Sequence, residues 1–177
     1  MIKRPYLLVK SKTVIDNQSL MIRDLHIAHA NFKKVFPDKS STWGYSSYNI
    51  FAITTPSPLF YSLFKELNLV IREYVGHDKP LWMQAWLNYH MPDEVLKEHA
   101  HDWKYNGYIS IDPKNTKTVF AGYKIINEVG NIYIGPGHSL HKVEVVEDYD
   151  TPRLTIGFDV HDEEGMPYDQ FSMIPIL

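Results

Sequence analysis

The chain has 177 residues, of which 44% are hydrophobic and 14% aromatic, and it contains no cysteine. This length and composition fit one folded domain and argue against disorder, and the lack of cysteine excludes disulfides, thiolate metal sites and a cysteine nucleophile. The formal net charge is -3, with basic residues spread along the chain, so a nucleic-acid partner is not indicated.

The N-terminal part of the chain is predicted to be mainly helical. Apolar residues at three- and four-residue steps predict an amphipathic helix from Ser57 to Val75, with Ser57 as N-cap and Gly76 as the stop. A weaker pattern predicts a helix over 23–35, and the segment 10–15 is predicted to be a strand.

From residue 81 onward, short segments rich in β-branched and aromatic residues alternate with turn signals. This texture predicts an α+β fold with a jelly-roll core and N-terminal helices packed on the sheet. We expect a single domain over 1–177, divided into a support region 1–80, a core 81–160 with the metal site and a C-terminal tail 161–177. The predicted strands are 81–91, 95–101, 105–111, 117–127, 131–135, 140–146 and 152–160.

The longest apolar run near the N-terminus, Tyr6 to Val9, is too short for a signal sequence or a membrane-spanning helix. We therefore expect a soluble, cytoplasmic protein with no membrane partner. The sequence does not predict the oligomeric state.

Three histidines form a candidate metal site. Side chains alternate between the faces of a strand, so His99 and His101 share one face, whereas Asp102 begins on the other. His141 can complete one side of a coordination sphere and leave the remaining positions open, which suits non-haem iron(II). The third ligand stays open between His101, which the alternation favours, and Asp102 or a water molecule.

Arg153 and Thr155 form a candidate acid-binding site on one face of a later predicted strand. A guanidinium makes bidentate hydrogen bonds to a carboxylate, and a neighbouring hydroxyl can add another. Arg153 can instead form a structural ion pair with one of the nearby acids, which are Glu144, Glu147 and Asp148.

The ordered motifs, spread over about residues 82–160, are Trp86-Leu87-Asn88, His99-Ala100-His101, Gly107-Tyr108, Pro136 with His141 and Val143, and Arg153-Leu154-Thr155. Together they resemble the iron(II)- and 2-oxoglutarate-dependent dioxygenases of the double-stranded β-helix, cupin-like fold. The similarity is greatest to a small prolyl-hydroxylase-like branch of that family.

The resemblance implies iron(II), O2 and 2-oxoglutarate as cofactor and cosubstrates. It implies that His99 and His141 bind iron, and that Arg153 with Thr155 binds the far carboxylate of 2-oxoglutarate. The family usually has a carboxylate where this chain has His101, and a neutral imidazole leaves the site one charge more positive. The implied reaction couples decarboxylation of 2-oxoglutarate to succinate with hydroxylation of a protein, peptide or small-molecule substrate.

Four further side chains are predicted near the site. Tyr108 is a candidate for contact with the cosubstrate, and Asn88, Trp103 and Tyr105 are candidates for the substrate pocket. Each can also be ordinary packing material, because aromatic residues are common in strands.

Two other functions remain open. The first is a three-histidine cupin dioxygenase that does not use 2-oxoglutarate, and the second is a non-catalytic, metal-binding cupin-like module. The sequence has no glycine-rich phosphate loop, no Gly-x-Ser-x-Gly elbow and no His-Glu-x-x-His helix, so nucleotide-dependent and hydrolytic chemistry are disfavoured.

Overall fold

A computed structural model describes residues 5–54, 56–162 and 172–176 of the chain. The helices of this part are α1 (Lys12–Val35), α2 (Ile50–Thr54) and α3 (Pro58–Val75). Its strands are β1 (Leu7–Lys10), β2 (Leu81–His90), β3 (Tyr105–Asp112), β4 (Thr116–Phe120), β5 (Lys124–Ile126), β6 (Asn131–Pro136), β7 (His141–Val145), β8 (Arg153–Asp162) and β9 (Ile174–Ile176). None of these helices combines the length and the apolar character needed to cross a bilayer.

The described strands form two antiparallel sheets. The larger has the order β1-β6-β3-β8-β2-β9 and the smaller the order β5-β4-β7. One narrow pocket is lined by side chains of β2, β3 and β8 on one side and of β4 and β7 on the other. The sheets therefore face each other as a sandwich, and this pocket lies between them.

Alternation in the central strand β8 gives the large sheet one apolar face and one polar face. The apolar side of β8 carries the buried residues Leu154, Ile156, Phe158 and Val160. The side that faces the small sheet carries Arg153, Thr155, Gly157 and Asp159. The polar groups needed for chemistry are thereby enclosed between the sheets.

Helices α1 and α3 cover the apolar face of the large sheet and form the main core with it. Their inward residues are Val14, Met21, Leu25, Ala28, Phe32, Phe60, Leu63, Leu67, Val70 and Ile71. The hydroxyl of Ser11 caps α1 by accepting from the amide of Val14 at 3.1 Å and donates to Glu66 of α3 at 2.6 Å. One polar side chain thus joins the start of α1 to the second helix.

The predicted helix over Ser57 to Val75 is confirmed as α3, with Pro58 at its first position and Gly76 ending it at φ 75°. The strand predicted over 10–15 is wrong. Residues Leu7–Lys10 form the edge strand β1, and α1 starts directly afterwards. The Ser11 cap explains this early start, which lies eleven residues before the predicted helix over 23–35.

Two strand predictions also need correction. The segment 95–101 is not a strand and contributes only an isolated bridge between His99 and His141. The segment 117–127 is divided by a turn into β4 and β5. In the segment after residue 160, β8 continues to Asp162 and β9 pairs with β2.

Gly107 of β3 is packed closely against the two neighbouring strands of its own sheet, β8 and β6. A Cβ atom there would lie 2.1 Å from the Phe158 ring and 2.3 Å from the Tyr133 carbonyl oxygen. Backbone atoms cannot yield as a flexible side chain can, so the position requires glycine.

We expect Gly107→Ala to lower the free energy of unfolding by about 1–3 kcal/mol, because it overpacks the centre of the sheet. The matched control is Gly122→Ala, whose Cβ meets no atom within 4 Å. Urea unfolding of both variants measures the difference. Equal stability of Gly107→Ala and Gly122→Ala would contradict this account.

Candidate functional site

His99, His101 and His141 come together at the mouth of the pocket between the sheets. One ring nitrogen from each lies within 4.8 Å of the others. The ring centroids are 4.4 Å apart for His99 and His141, 5.2 Å for His99 and His101, and 5.4 Å for His101 and His141. Metal–nitrogen bonds measure about 2.1 Å, so small side-chain movements suffice for all three rings to bind one ion.

In each of the three rings, the Nδ1 atom makes a hydrogen bond to a neighbouring oxygen atom. His99 Nδ1 donates to the Lys97 carbonyl at 2.6 Å, and His141 Nδ1 donates to the Ser139 carbonyl at 2.8 Å. A carbonyl oxygen can only accept, so each of these nitrogens carries the hydrogen. The Nε2 atoms keep their lone pairs, which is the arrangement of metal-binding histidines.

Burial also favours the neutral form of the His99 and His141 rings. It lowers the pKa of His141 to about 4 and the pKa of His99 below its usual value. A neutral imidazole is the form that binds a metal ion. The three-histidine donor set and the neutral form of His99 and His141 fit a divalent cation.

Backbone hydrogen bonds hold the two distant segments in register. His99 and His141 exchange both N–H···O bonds at 2.9 Å, and the His101 amide donates to the Gly137 carbonyl at 3.0 Å. A Cβ atom on Gly137 would lie 1.8 Å from the Trp103 carbonyl oxygen. Glycine at this turn therefore allows the segment that carries His99 and His101 to approach β7.

Asp159 of β8 lies directly behind the histidine cluster. Its side chain is 2% exposed, and its two oxygens lie 2.9 and 3.0 Å from His101 Nδ1. Asn106 donates to the same carboxylate at 3.2 Å. Asp102, the alternative third ligand, is exposed and lies outside the group of three histidines.

Arg153 lies at the inner end of the pocket with its guanidinium buried. The residue is 2% exposed, and Nε and Nη1 have no hydrogen-bond partner among the described residues. Burial lowers the pKa of Arg153 to about 10, so the group is still charged at neutral pH. An isolated buried cation is costly, and a bound anion would offset that cost.

The predicted alternative of a structural ion pair does not form within the described residues. Two of the three candidate acids are engaged elsewhere. Glu144 pairs with Lys117 at 3.0 Å and with Lys142 at 2.8 Å. Glu147 accepts a hydrogen bond from Asn115 at 3.2 Å. The charge of Arg153 therefore stays available to a ligand.

Several hydroxyl groups lie near Arg153. Those of Tyr108, Ser110 and Tyr149 are buried without a hydrogen-bond partner among the described residues. Thr155 accepts from the Asn88 amide at 3.1 Å, which leaves its hydroxyl hydrogen free to donate. Of these groups, Tyr108 and Thr155 line the inner pocket together with Arg153, so the pocket offers a cation and hydroxyl groups to a ligand.

Asn88 is fixed by its neighbours. Its carbonyl oxygen accepts from Thr42 at 3.0 Å and from the Trp86 ring at 3.2 Å. The residue lies in the inner pocket beside Thr155 and does not line the outer cleft. We conclude that it orients the Thr155 hydroxyl.

An outer cleft of about 190 Å³ opens in front of the histidines. It shares Trp86, Leu96, His99 and His101 with the inner pocket. Its other walls include Trp43, which is 68% exposed, and Trp103. His99 and His101 therefore lie where a solvent-accessible cleft meets the inner pocket.

The prediction that Tyr105 lines the substrate pocket is wrong. Its ring packs edge-on against Tyr74 of α3, with centroids 5.7 Å apart, on the helix side of the sheet. Alternation along β3 explains this, because Tyr105 and Tyr108 are three residues apart and point to opposite faces.

Sequence reasoning missed several residues of the site. Asp159 could have been found, because it shares the strand face of Arg153 and Thr155. Trp43 and Tyr45 lie before the predicted core, in a segment without regular periodicity. Their place in the cleft depends on a tertiary contact that no local pattern indicates.

Searches for related proteins find similarity in structure alone. No protein-family model matches the sequence, and no curated protein matches it significantly. Among solved structures, apo HygX from Streptomyces hygroscopicus is 10% identical with a TM-score of 0.60, covering 90% of this chain and 83% of HygX. HygX with nickel and 2-oxoglutarate bound is 12% identical with a TM-score of 0.57 over the same shares.

A second protein gives the same result. SnoN, a non-heme alpha ketoglutarate dependent epimerase from nogalamycin biosynthesis, is 12% identical with a TM-score of 0.52, covering 89% of this chain and 76% of its own. At these identities the likeness concerns the fold. It confirms the predicted α+β, double-stranded β-helix architecture with N-terminal helices.

His90, next to Arg153 across the strands, predicts a pH dependence of stability. Burial, and to a lesser degree the charge of Arg153, lower the pKa of His90 to about 4. Between pH 6.5 and about 4 the unfolded chain binds a proton that the folded chain does not. The stability that depends on a neutral His90 is therefore fully present above pH 6.5, and the free energy of unfolding falls as the pH decreases toward about 4.

We expect the free energy of unfolding of the metal-free protein to fall by about 1 kcal/mol per pH unit for each such histidine, and His90→Gln to reduce that slope. Urea titrations from pH 7.5 to 4 with a chelator present measure it. His26→Gln is the control, since this ring lies outside the pocket and bonds to Tyr89. An equal slope in His90→Gln and wild type would contradict the burial effect.

Proposed function

We propose that this chain is an iron(II)- and 2-oxoglutarate-dependent dioxygenase that hydroxylates a protein, peptide or small-molecule substrate. The observation that carries the proposal is the buried guanidinium of Arg153, whose Nε and Nη1 have no partner among the described residues, in the same narrow pocket as three histidines that can bind a metal. A metal site alone fits many functions. A metal site next to a receptor for an acid fits a cosubstrate that has both a chelating end and a carboxylate end.

In the proposed function His99, His101 and His141 hold iron(II) through their Nε2 atoms and leave the remaining positions for cosubstrates. Bound iron supplies the redox chemistry that links conversion of 2-oxoglutarate and O2 to succinate and carbon dioxide with insertion of one oxygen atom into a C–H bond. Arg153 and Thr155 bind and orient the far carboxylate. Tyr108 and Tyr149 can donate to the same acid.

The two compartments suggest how the substrates are divided. The inner pocket has about 30 Å³ of free space, so a dicarboxylate must displace side chains at its mouth to enter. The outer cleft is open and has aromatic walls. It can admit an exposed side chain of a protein or a small molecule to the face of the metal site.

Two competing functions make different use of Arg153 and the histidines. A dioxygenase that does not use 2-oxoglutarate has no need of a buried cation such as Arg153, which is only 2% exposed. A non-catalytic module that binds a structural metal has no need of open coordination positions. Succinate release and the affinity for 2-oxoglutarate distinguish both alternatives from the proposed function.

We expect the anaerobically purified protein, supplied with iron(II), 2-oxoglutarate and O2, to release succinate slowly even without its substrate. Succinate is measured by mass spectrometry, with reactions lacking iron(II) or O2 as blanks. His141→Ala is expected to abolish the signal, because it leaves only two ligands. Iron(II) binding without any succinate would favour the alternative functions.

Removal of the Arg153 charge tests the acid-binding site. Arg153→Met keeps length and apolar bulk, so we expect the metal-free protein to be as stable as wild type or more stable, since replacing a buried charge is often neutral or favourable. The apparent affinity for 2-oxoglutarate should fall by about 30-fold or more, because loss of a buried charged partner costs about 2–5 kcal/mol.

The control is Lys142→Met, which removes a partly exposed cation of β7. Thermal unfolding of the manganese-loaded proteins with increasing 2-oxoglutarate measures affinity without turnover. Wild-type affinity and succinate release in Arg153→Met would rule out the acid clamp and favour an enzyme independent of 2-oxoglutarate.

A further inference from the structure

The histidine cluster lacks a carboxylate ligand, but a carboxylate lies one hydrogen bond behind it. Asp159 approaches His101 Nδ1 with both oxygens, at 2.9 and 3.0 Å, and is 2% exposed. His101 is also the position at which the sequence departs from the pattern of the resembling family. The carboxylate of Asp159 is therefore hydrogen-bonded to the ring that occupies the place of the family's carboxylate ligand.

Neighbouring side chains fix the geometry of this pair. Asn106, the cross-strand partner of Asp159 on β3, donates to Asp159 Oδ1 at 3.2 Å. On the other side the Trp86 ring stacks on His101 with centroids 5.9 Å apart and an interplanar angle of 23°. An ionised carboxylate only accepts hydrogen bonds, so His101 Nδ1 carries the hydrogen and Nε2 is free for a metal.

The charge balance of the metal site suggests a role for the His101–Asp159 pair. Three neutral imidazoles leave a bound divalent cation with its full charge of +2, whereas a ligand carboxylate would reduce the charge of the site by one. A carboxylate hydrogen-bonded to a ligand histidine makes that ring a stronger donor and holds its orientation. Burial of Asp159 is costly without a cation nearby, and a metal ion at the cluster supplies one.

We propose that Asp159 is a positioning residue that acts through the His101 ring to provide the charge which the ligand set lacks, and so sets the affinity of the site for divalent cations. The inference rests on the proposed function only in requiring a metal at the histidines. It is independent of 2-oxoglutarate and of the reaction.

Asp159→Asn tests the inference, because asparagine keeps the shape and one acceptor oxygen but removes the charge. The probe is manganese(II), added to the metal-free full chain and followed by the electron paramagnetic resonance signal of the free ion. We expect affinity to fall by about 10- to 100-fold. The matched control is Asp102→Asn, which removes the same charge from the exposed neighbour of His101 and should change affinity by less than about 3-fold.

An exchange of charge separates this role from simple support of the fold. His101→Asp combined with Asp159→Asn moves the carboxylate from behind the ring into the ligand set, so we expect affinity to recover to within about 10-fold of wild type. His101→Asp alone places two carboxylates close together. It should lower the unfolding temperature of the metal-free protein relative to the double variant, because like charges repel.

Each outcome has a definite reading. Wild-type affinity in Asp159→Asn, or a loss in Asp102→Asn as large as that in Asp159→Asn, overturns the inference and leaves the proposed dioxygenase intact. Equal loss in Asp159→Asn and in the double variant assigns Asp159 a structural role only, and also overturns it. A wild-type chain that binds no manganese(II), iron(II) or cobalt(II) overturns both proposals.

Discussion

The unpaired charge of Arg153 is the constraint on which the rest of the site depends. A guanidinium that is 2% exposed and has no partner for Nε and Nη1 among the described residues is held in place by the sheet at the expense of stability. Strand β8 places it inward, and the covering sheet excludes water from it. An acid bound there would offset the cost of burying this cation. The same pocket has the three histidines at its mouth.

The same alternation that buries Arg153 also builds the core. On β8, one side chain in two packs on the helices and the next faces the pocket. The side chains on one face of β8 therefore contribute to the core, and those on the other face line the pocket. A one-residue slip of β8 would bury Arg153 and Asp159 against α1 and α3 and expose apolar side chains to the pocket, so the fold and the site share one register.

Much of this arrangement could be predicted from the sequence, because it depends on periodicity. The 3.6-residue pattern indicated α3, and the two-residue alternation brought Arg153 and Thr155 to one face. Elements that depend on distant contacts were harder to predict. The loop that carries His99 has no strand of its own and is ordered by its bridge to β7, and α1 starts early because Ser11 bonds to Glu66, which is 55 residues away. Tyr105 was misplaced because an aromatic strand residue fits either face.

The reciprocal backbone bonds between His99 and His141 have a consequence for assembly of the proposed metal centre. Ligands on mobile loops must be ordered when a metal arrives, and that ordering reduces affinity. Here the two segments are already joined by peptide groups, and carbonyl oxygens orient both rings. Metal capture then requires little rearrangement of the chain, and the apoprotein can accept its ion after folding is complete.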